Sequence, residues 1–367
     1  MLRFRKFSTV LFLSALALFA TGCGQVQTEP GHSEFRSVST INKEDLSDAV
    51  KKAEPSQTTT ESETSYIPSD KAVTVTFIGD VTLTQNYLNI NDSCFDKVVG
   101  DDMDYCFKNC KEIFEKDDLT LANLEGSVSE RKTHAQKQFN FQMKPESMKM
   151  LQNASIEAVN LANNHTRDFL VEGLNETKDN LDKYKIIWSN QEKSVIYEVK
   201  GVKIGMFGIT ENSGLNAAYA RIDELKAGGA DIIIASCHWG IEAKYTITAS
   251  QETIGHSLID HGVDIVIGTH PHRLQKIEEY GGKYILYSLS NFCFGGNARL
   301  SDPDTAIIQC TFKMDETGRK CTGYELNVIP YNQTSSPGND YCPVMYEWGT
   351  EDYFRVLKRL EWSAEDE

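Results

Sequence analysis

The chain lacks three things that would each point to a familiar chemistry. It has no Cys-x-x-Cys pair, which removes the usual sequence signature of a thiolate zinc site or a thioredoxin-like motif. It has no glycine-rich phosphate loop and no apolar run of the length a membrane-spanning helix needs. A nucleotide-driven or membrane-embedded synthase is therefore not expected. Positive charge is also scarce, with 37 Lys and Arg against 53 Asp and Glu and a net charge of −16. Affinity for nucleic acid comes largely from positive charge, so nucleic acid is excluded as an expected partner. No internal repeat is present.

The first residues follow a different logic from the rest. Arg3, Arg5 and Lys6 precede an apolar stretch over 10–20, followed by Ala20-Thr21-Gly22-Cys23. This pattern predicts a bacterial lipoprotein signal peptide over 1–22, with Cys23 as the lipidated residue. The expected location is the extracytoplasmic face of the bacterial cell membrane, held by a lipid anchor. Residues 24–70 are rich in Ser, Thr, Glu and Gln and nearly free of aromatics. Such a stretch buries too little apolar surface to offset its ordering entropy, so 23–70 reads as a disordered tether. The folded domain is expected over 71–330, followed by a C-terminal extension over 331–367 with a terminal amphipathic helix.

Apolar, β-branched runs over 73–78, 119–122, 158–162, 231–236 and 263–268 read as buried parallel strands. A strand over 202–209 and helices over 172–184, 222–227 and 250–260 alternate with them, predicting a largely parallel α/β sheet with helices on both faces. Residues 284–289, 306–314 and 322–330 follow one another without helices and read as an antiparallel segment packed as a second sheet. Residues 89–115 form a Cys-bearing insertion. Beyond Cys23, the cysteines are Cys94, Cys106, Cys110, Cys237, Cys293, Cys310, Cys321 and Cys342. Export permits disulfides, with Cys310 and Cys321 across a hairpin and Cys94 with Cys106 or Cys110 as candidate pairs.

A short polar motif ends each of the five buried runs: Gly79-Asp80, Asn123-Leu124-Glu125, Asn163-Asn164-His165, His238-Trp239-Gly240 and His270-Pro271-His272. Loops at the carboxyl ends of strands converge on one crevice in an open α/β sheet. Asp80 and Glu125 offer anionic oxygens, Asn164 an amide oxygen, and His238, His270 and His272 imidazoles. Carboxylate oxygen with imidazole nitrogen suits Mn, Zn or Fe, and one or two such divalent ions are expected. Arg273, Arg167 and Asn291 lie beside these motifs as candidate substrate contacts, and Lys137 and Lys144 are further nearby cations. Glu242 is a candidate partner for a ligand His. His256 and His261 fit a helix and its end, and Trp239 fits packing.

In order and surroundings the motifs resemble the CapA family of poly-γ-glutamate capsule proteins, a branch of the calcineurin-like metallophosphoesterase superfamily. The resemblance runs over about 73–329 and rests on Asn-Leu-Glu-Gly, Leu-Ala-Asn-Asn-His, His-Trp-Gly-x-Glu, Gly-x-His-Pro-His and Tyr-Ser-Leu-x-Asn-Phe. It implies a four-layer α-β-β-α sandwich of the metallophosphatase type, with the metal site at the rim between two sheets. It also implies that Asp80, Glu125 and His272 hold one ion, and that Glu125, Asn164, His238 and His270 hold a second, with Glu125 bridging. His165 would be the general acid, oriented by Asp168. Thr82 stands where the superfamily has a metal-binding His, and Glu125 where it has Asp. Three functions are compatible with this pattern. The first is a metal-dependent hydrolase of a capsule or envelope polymer system, acting on an anionic polymer or phosphoester beside capsule synthase or export subunits. The second is a non-enzymatic scaffold that retains or exports the polymer, and the third a phosphoesterase with an unrelated envelope substrate.

Overall fold

The computed structural model describes residues 39–42, 72–88 and 91–362. The predicted signal peptide and Cys23 lie outside the described residues. Strands in chain order are β1 (Ser39–Asn42), β2 (Ala72–Thr82), β3 (Leu119–Leu124), β4 (Ser127–Val128), β5 (Gln142–Met143), β6 (Ala158–Asn160), β7 (Ile187–Ser189), β8 (Val195–Val199) and β9 (Val202–Thr210). They continue as β10 (Ile232–His238), β11 (Ile265–Thr269), β12 (Leu274–Tyr280), β13 (Lys283–Leu289), β14 (Asn291–Phe294), β15 (Asp304–Met314), β16 (Cys321–Asn332) and β17 (Val344–Met345).

These strands form two large sheets and a small β4–β5 ribbon. One sheet has the order β17-β16-β15-β2-β3-β6-β7, with β14 also paired to β2; the other has the order β1-β8-β9-β10-β11-β13-β12. Each has a parallel centre, β2-β3-β6-β7 in the first and β9-β10-β11-β13 in the second. Antiparallel strands complete both. Buried side chains fall into three clusters, and these define the layers. Val73, Val75, Phe77, Leu121, Ile204, Ile234 and Ile267 meet between the two sheets. Ala122, Leu124 and Val159 turn the other way, toward the helices Met148–Asn153 and Leu170–Lys183. Phe207, Ile233, Ala235 and Val266 pack on the helices Leu215–Ala227 and Ala249–Asp260. The order is thus helix, sheet, sheet, helix, the expected four-layer sandwich.

The sheets are assembled differently from the sequence expectation. The parallel strands do not share one sheet; they are divided between two. Residues 284–289 belong to β13, which runs parallel to β11, and β15 and β16 extend the sheet that begins with β2. The helix expected over 222–227 is the second half of a longer one, Leu215–Ala227. Within the stretch read as a tether, β1 pairs in parallel with β8. The C-terminal helix Glu351–Arg359 buries Tyr353, Val356 and Leu357 against the inter-sheet core. Its Arg355 and Arg359 pair with the buried Asp304 and Asp302. All eight described cysteines are free thiols, so the suggested disulfides are not formed. Cys310 faces the inter-sheet core and is paired in register with Leu326, not with Cys321.

A candidate metal centre at the rim between the sheets

Side-chain parity along each strand decides which residues reach the rim, because successive side chains point to opposite faces. On β3, Leu119 and Leu121 face the other sheet while Ala122 and Leu124 face the helices, so Asn123 and Glu125 share the inter-sheet face. On β10, Ile232 and Ile234 face inward, which puts His238 there too. β2 would fail this rule without its irregularity. Val73, Val75 and Phe77 face the other sheet, but after a register shift between Phe77 and Asp80 it is Val81 and Leu83 that face the helices. The bulge returns Asp80 to the inter-sheet side. Gly79 is required beside it, since a Cβ there would lie 2.0 Å from the Ser290 carbonyl oxygen.

Asp80, Glu125 and His272 place one ligand atom each within 4.8 Å of one another. His272 Nδ1 lies 3.4 Å from Asp80 Oδ2 and 2.7 Å from Asn291 Oδ1. His238 Nε2 is 3.6 Å from Glu125 Oε1 and 2.9 Å from Asn164 Oδ1, and its Nδ1 is 3.0 Å from the Thr269 hydroxyl. The His238 and His270 rings are 4.6 Å apart. His270 and His272 take φ of 96° and 51°, left-handed values uncommon for side chains other than glycine and concentrated at functional sites. The six residues expected to bind metal are thus brought together, three from the ends of each sheet.

Their electrostatics fit a bound cation. Glu125 is fully buried, and neither carboxylate oxygen has a hydrogen-bond partner; buried Nδ1 of His270 has none either. Burial, then the adjacent Asp80 carboxylate, push the Glu125 pKa well up. Burial lowers His238 strongly, and burial followed by repulsion from His272 lowers His270. Burial opposes charge on His272 as well, but Glu125, Asp80 and Asn291 outweigh it and raise its pKa to about 9. Burial likewise opposes ionisation of Asp80, yet contacts with His272, His238 and Asn123 hold it below its usual range. A protein interior leaves few buried acceptors unpaired, and a cation among these oxygens and nitrogens would satisfy them all. The donor set fits a divalent transition metal.

Beside this cluster, His165 presents Nε2 at 3.9 Å from Glu125 Oε1 and directs Nδ1 at Asp168 Oδ2, 2.8 Å away. Asp168 is buried, accepts the Phe141 backbone N–H at 2.6 Å and forms an ion pair with Lys137. Lys137 Nζ also donates to the Asn164 carbonyl at 3.0 Å and lies 3.3 Å from His165 Nδ1. The expected His165–Asp168 pair is present, and Lys137, read from sequence as a nearby cation, is built into it.

Residues 74–296 match the family described as "Bacterial capsule synthesis protein PGA_cap". The chain belongs to this family. It is 31% identical over 280 residues to the PGA biosynthesis protein CapA of Bacillus subtilis, covering 68% of this chain and 70% of that protein. It is 27% identical over 303 residues to the capsule biosynthesis protein CapA of Bacillus anthracis, covering 73% and 69%. A Mycobacterium tuberculosis protein called a probable polyglutamine synthesis accessory protein is 28% identical over 205 residues, 46% of this chain and 54% of its own length. Among solved structures, a Mycoplasma pneumoniae phosphatase aligns with a TM-score of 0.44 at 15% identity, over 71% of this chain and 94% of its own.

Residues around the candidate ligands of this PGA_cap chain have structural roles. The Thr82 hydroxyl donates to the Glu125 carbonyl at 2.8 Å and so holds the backbone of a candidate ligand. Asn123, which sequence reasoning did not single out as a site residue, is the centre of the support. Its amide donates to Asp80 Oδ1 at 2.7 Å, and its oxygen accepts from Asn160 at 2.8 Å and Asn163 at 3.3 Å. Its place two residues before Glu125, on the same strand face, was the available signal. Arg273 donates to the His272 carbonyl and to Ser301, bracing the turn while also lining a cleft. Arg167 is exposed beside Glu192, lining a separate cleft that reaches Asn164, His238 and His270. Glu242 is exposed along the Arg273 cleft. Trp239 is buried and donates to the Tyr287 carbonyl, the packing role expected of it.

Proposed function

We propose that this CapA-like accessory protein of capsular poly-glutamate synthesis is a metal-dependent hydrolase, lipid-anchored through Cys23 on the extracytoplasmic face of the cell membrane. The observation that carries the catalytic reading is Glu125, a buried carboxylate without a partner, facing His238 and His165. Asp80, Glu125, Asn164, His238, His270 and His272 would hold one or two divalent ions (Mn, Zn or Fe), supplying Lewis-acid polarisation of a phosphoryl or carbonyl oxygen. His165 holds a proton at Nε2 for the leaving atom, Asp168 fixes the ring through Nδ1, and Lys137 balances the Asp168 charge. Asn291 orients His272, Arg273 braces the His272 turn at the edge of the substrate site, and Arg167 offers positive charge to the anionic part of a polymer or phosphoester. Capsule synthase or export subunits would be its neighbours.

The test is turnover. Protein loaded with Mn or Zn is expected to hydrolyse phosphoesters or poly-glutamate, and His165→Ala to lower the rate by about 10²–10⁴-fold while still binding metal. Unchanged turnover in His165→Ala would remove the assigned acid. Metal binding without turnover on either substrate class would leave the scaffold reading.

A further inference from the structure

Two clefts open onto the candidate centre, and they differ in chemistry. The larger, about 620 Å3, reaches His238, His270 and Asn164 and is lined by side-chain amides of Asn190, Gln191 and Asn212 with Arg167. The smaller, about 230 Å3, reaches His165 and His272 and gathers Phe139, Phe141, Phe294 and Leu300 on its wall, with polar side chains making up the rest. The Phe141 ring lies 4.5 Å from the His165 ring and 5.5 Å, edge to face, from Phe294; Phe294 is 5.2 Å from His272. Phe139, in the irregular segment before β5, is 46% exposed and lines this cleft.

We infer that the smaller cleft is the leaving-group subsite and that it takes an aryl or alkyl group rather than a charged one. The inference rests on the hydrolase reading above. In hydrolysis of a phosphoester, a water oxygen forms the new bond to phosphorus. The bond to the ester oxygen breaks with its electron pair, and that oxygen takes the proton from His165 Nε2. The proton given up by water restores the His165 proton through solvent. The departing group must therefore lie where His165 points. His165 lines the aromatic cleft and not the amide-lined one.

Charge supports an apolar occupant. Arg273 is the one Lys or Arg lining the cleft, and its guanidinium is already committed to the His272 carbonyl at 2.6 Å and the Ser301 hydroxyl at 2.7 Å, with Asp302 at 3.7 Å. Glu242 and Asp302 add two carboxylates to the same walls. Asp302 is itself paired with Arg359, so the cleft offers an anionic leaving group no uncommitted Lys or Arg and faces it with the exposed Glu242. The larger cleft also holds one guanidinium, Arg167, with Glu192 and Glu211, and it is its side-chain amides rather than its charge that suit the polar part of a substrate. Size agrees, since an apolar cavity of about 150 Å3 accepts a benzene ring.

Calorimetric titration of Mn-loaded protein with phenylphosphonate and with methylphosphonate tests this directly. Both share the anionic head, and only the first fills an apolar subsite. Phenylphosphonate is expected to bind about tenfold or more tightly, the gain from burying most of one ring. Phe139→Ala and Leu300→Ala are each expected to reduce that preference severalfold. Clear binding of both probes with equal affinity would overturn the subsite while leaving the metal centre standing. Binding of neither would overturn the anion-accepting centre and the subsite with it.

Discussion

Replacing Glu125 by Gln separates the cost of a buried charge from its use. In the metal-free protein both Glu125 oxygens are buried without partners, beside the Asp80 carboxylate. An unsatisfied buried polar group costs about 1–3 kcal/mol, more when charged, and an amide of the same shape escapes the charged part of that penalty. Because the folded pKa is raised above its ordinary 4.5, native protein keeps a proton that the unfolded chain gives up. Metal-free stability should then fall as pH rises above that value, and Glu125→Gln should remove that component of the slope. The metal-free variant is expected to be at least as stable as wild type at pH 7, by roughly 1–3 kcal/mol. A divalent ion reverses the ranking. At a free concentration 100 times Kd, binding stabilises wild type by about 2.7 kcal/mol, a rise of roughly 4–5 °C in Tm for a domain of this size. The variant should show little or no rise. Scanning calorimetry of both proteins, with chelator and with Mn, reads all four states. Equal metal-induced shifts in the two proteins would refute the reasoning, as would a metal-free variant several degrees less stable than wild type.

Other consequences follow from the same geometry. His272 has its pKa raised to about 9, so near pH 7 it carries a proton that metal must displace. Its contribution to metal-free stability is full below 6.5 and lost as pH rises through about 9, whereas metal affinity should increase over that range. Calorimetry in buffers of different ionisation enthalpy should detect the released proton, and a pH-independent affinity between 6 and 9 would contradict this. Asn123→Ala strips partners from Asp80, Asn160 and Asn163 at once, and should cost about 2–4 kcal/mol in urea unfolding, the scale of several broken buried hydrogen bonds. Gly79→Ala would push a Cβ to 2.0 Å from the Ser290 carbonyl oxygen, and should lower Tm by more than 5 °C or prevent soluble expression.

Much of the site was legible because its chemistry is local to strand ends. Asp80, Glu125, Asn164, His238, His270 and His272 each follow or end a buried run, and such loops converge whichever sheet the run belongs to. What was not legible was the sheet membership of those runs. Strands buried on both faces are apolar throughout, so 73–78 and 232–238 look alike although they lie in different sheets. The sheet order depends on pairings between distant segments, such as β2 with β15 and β11 with β13, which no local pattern encodes. The bulge in β2 is a related case. Parity counted from Val73 would turn Asp80 away from the site, and only the register shift near Gly79 restores it. Asn123 and Lys137 act through other side chains, Asn123 on Asp80 and Lys137 on Asp168, so residue type and spacing alone gave little reason to assign them roles.

The central claim is that the ends of two sheets build a divalent-metal centre around Glu125. Elemental analysis of purified protein after Mn or Zn loading, beside a Glu125→Ala/His272→Ala double variant, tests it most directly. The account predicts one to two tightly held ions per wild-type chain and none in the variant. Wild-type protein that remains metal-free after loading, or a variant that binds as much metal as wild type, would contradict it.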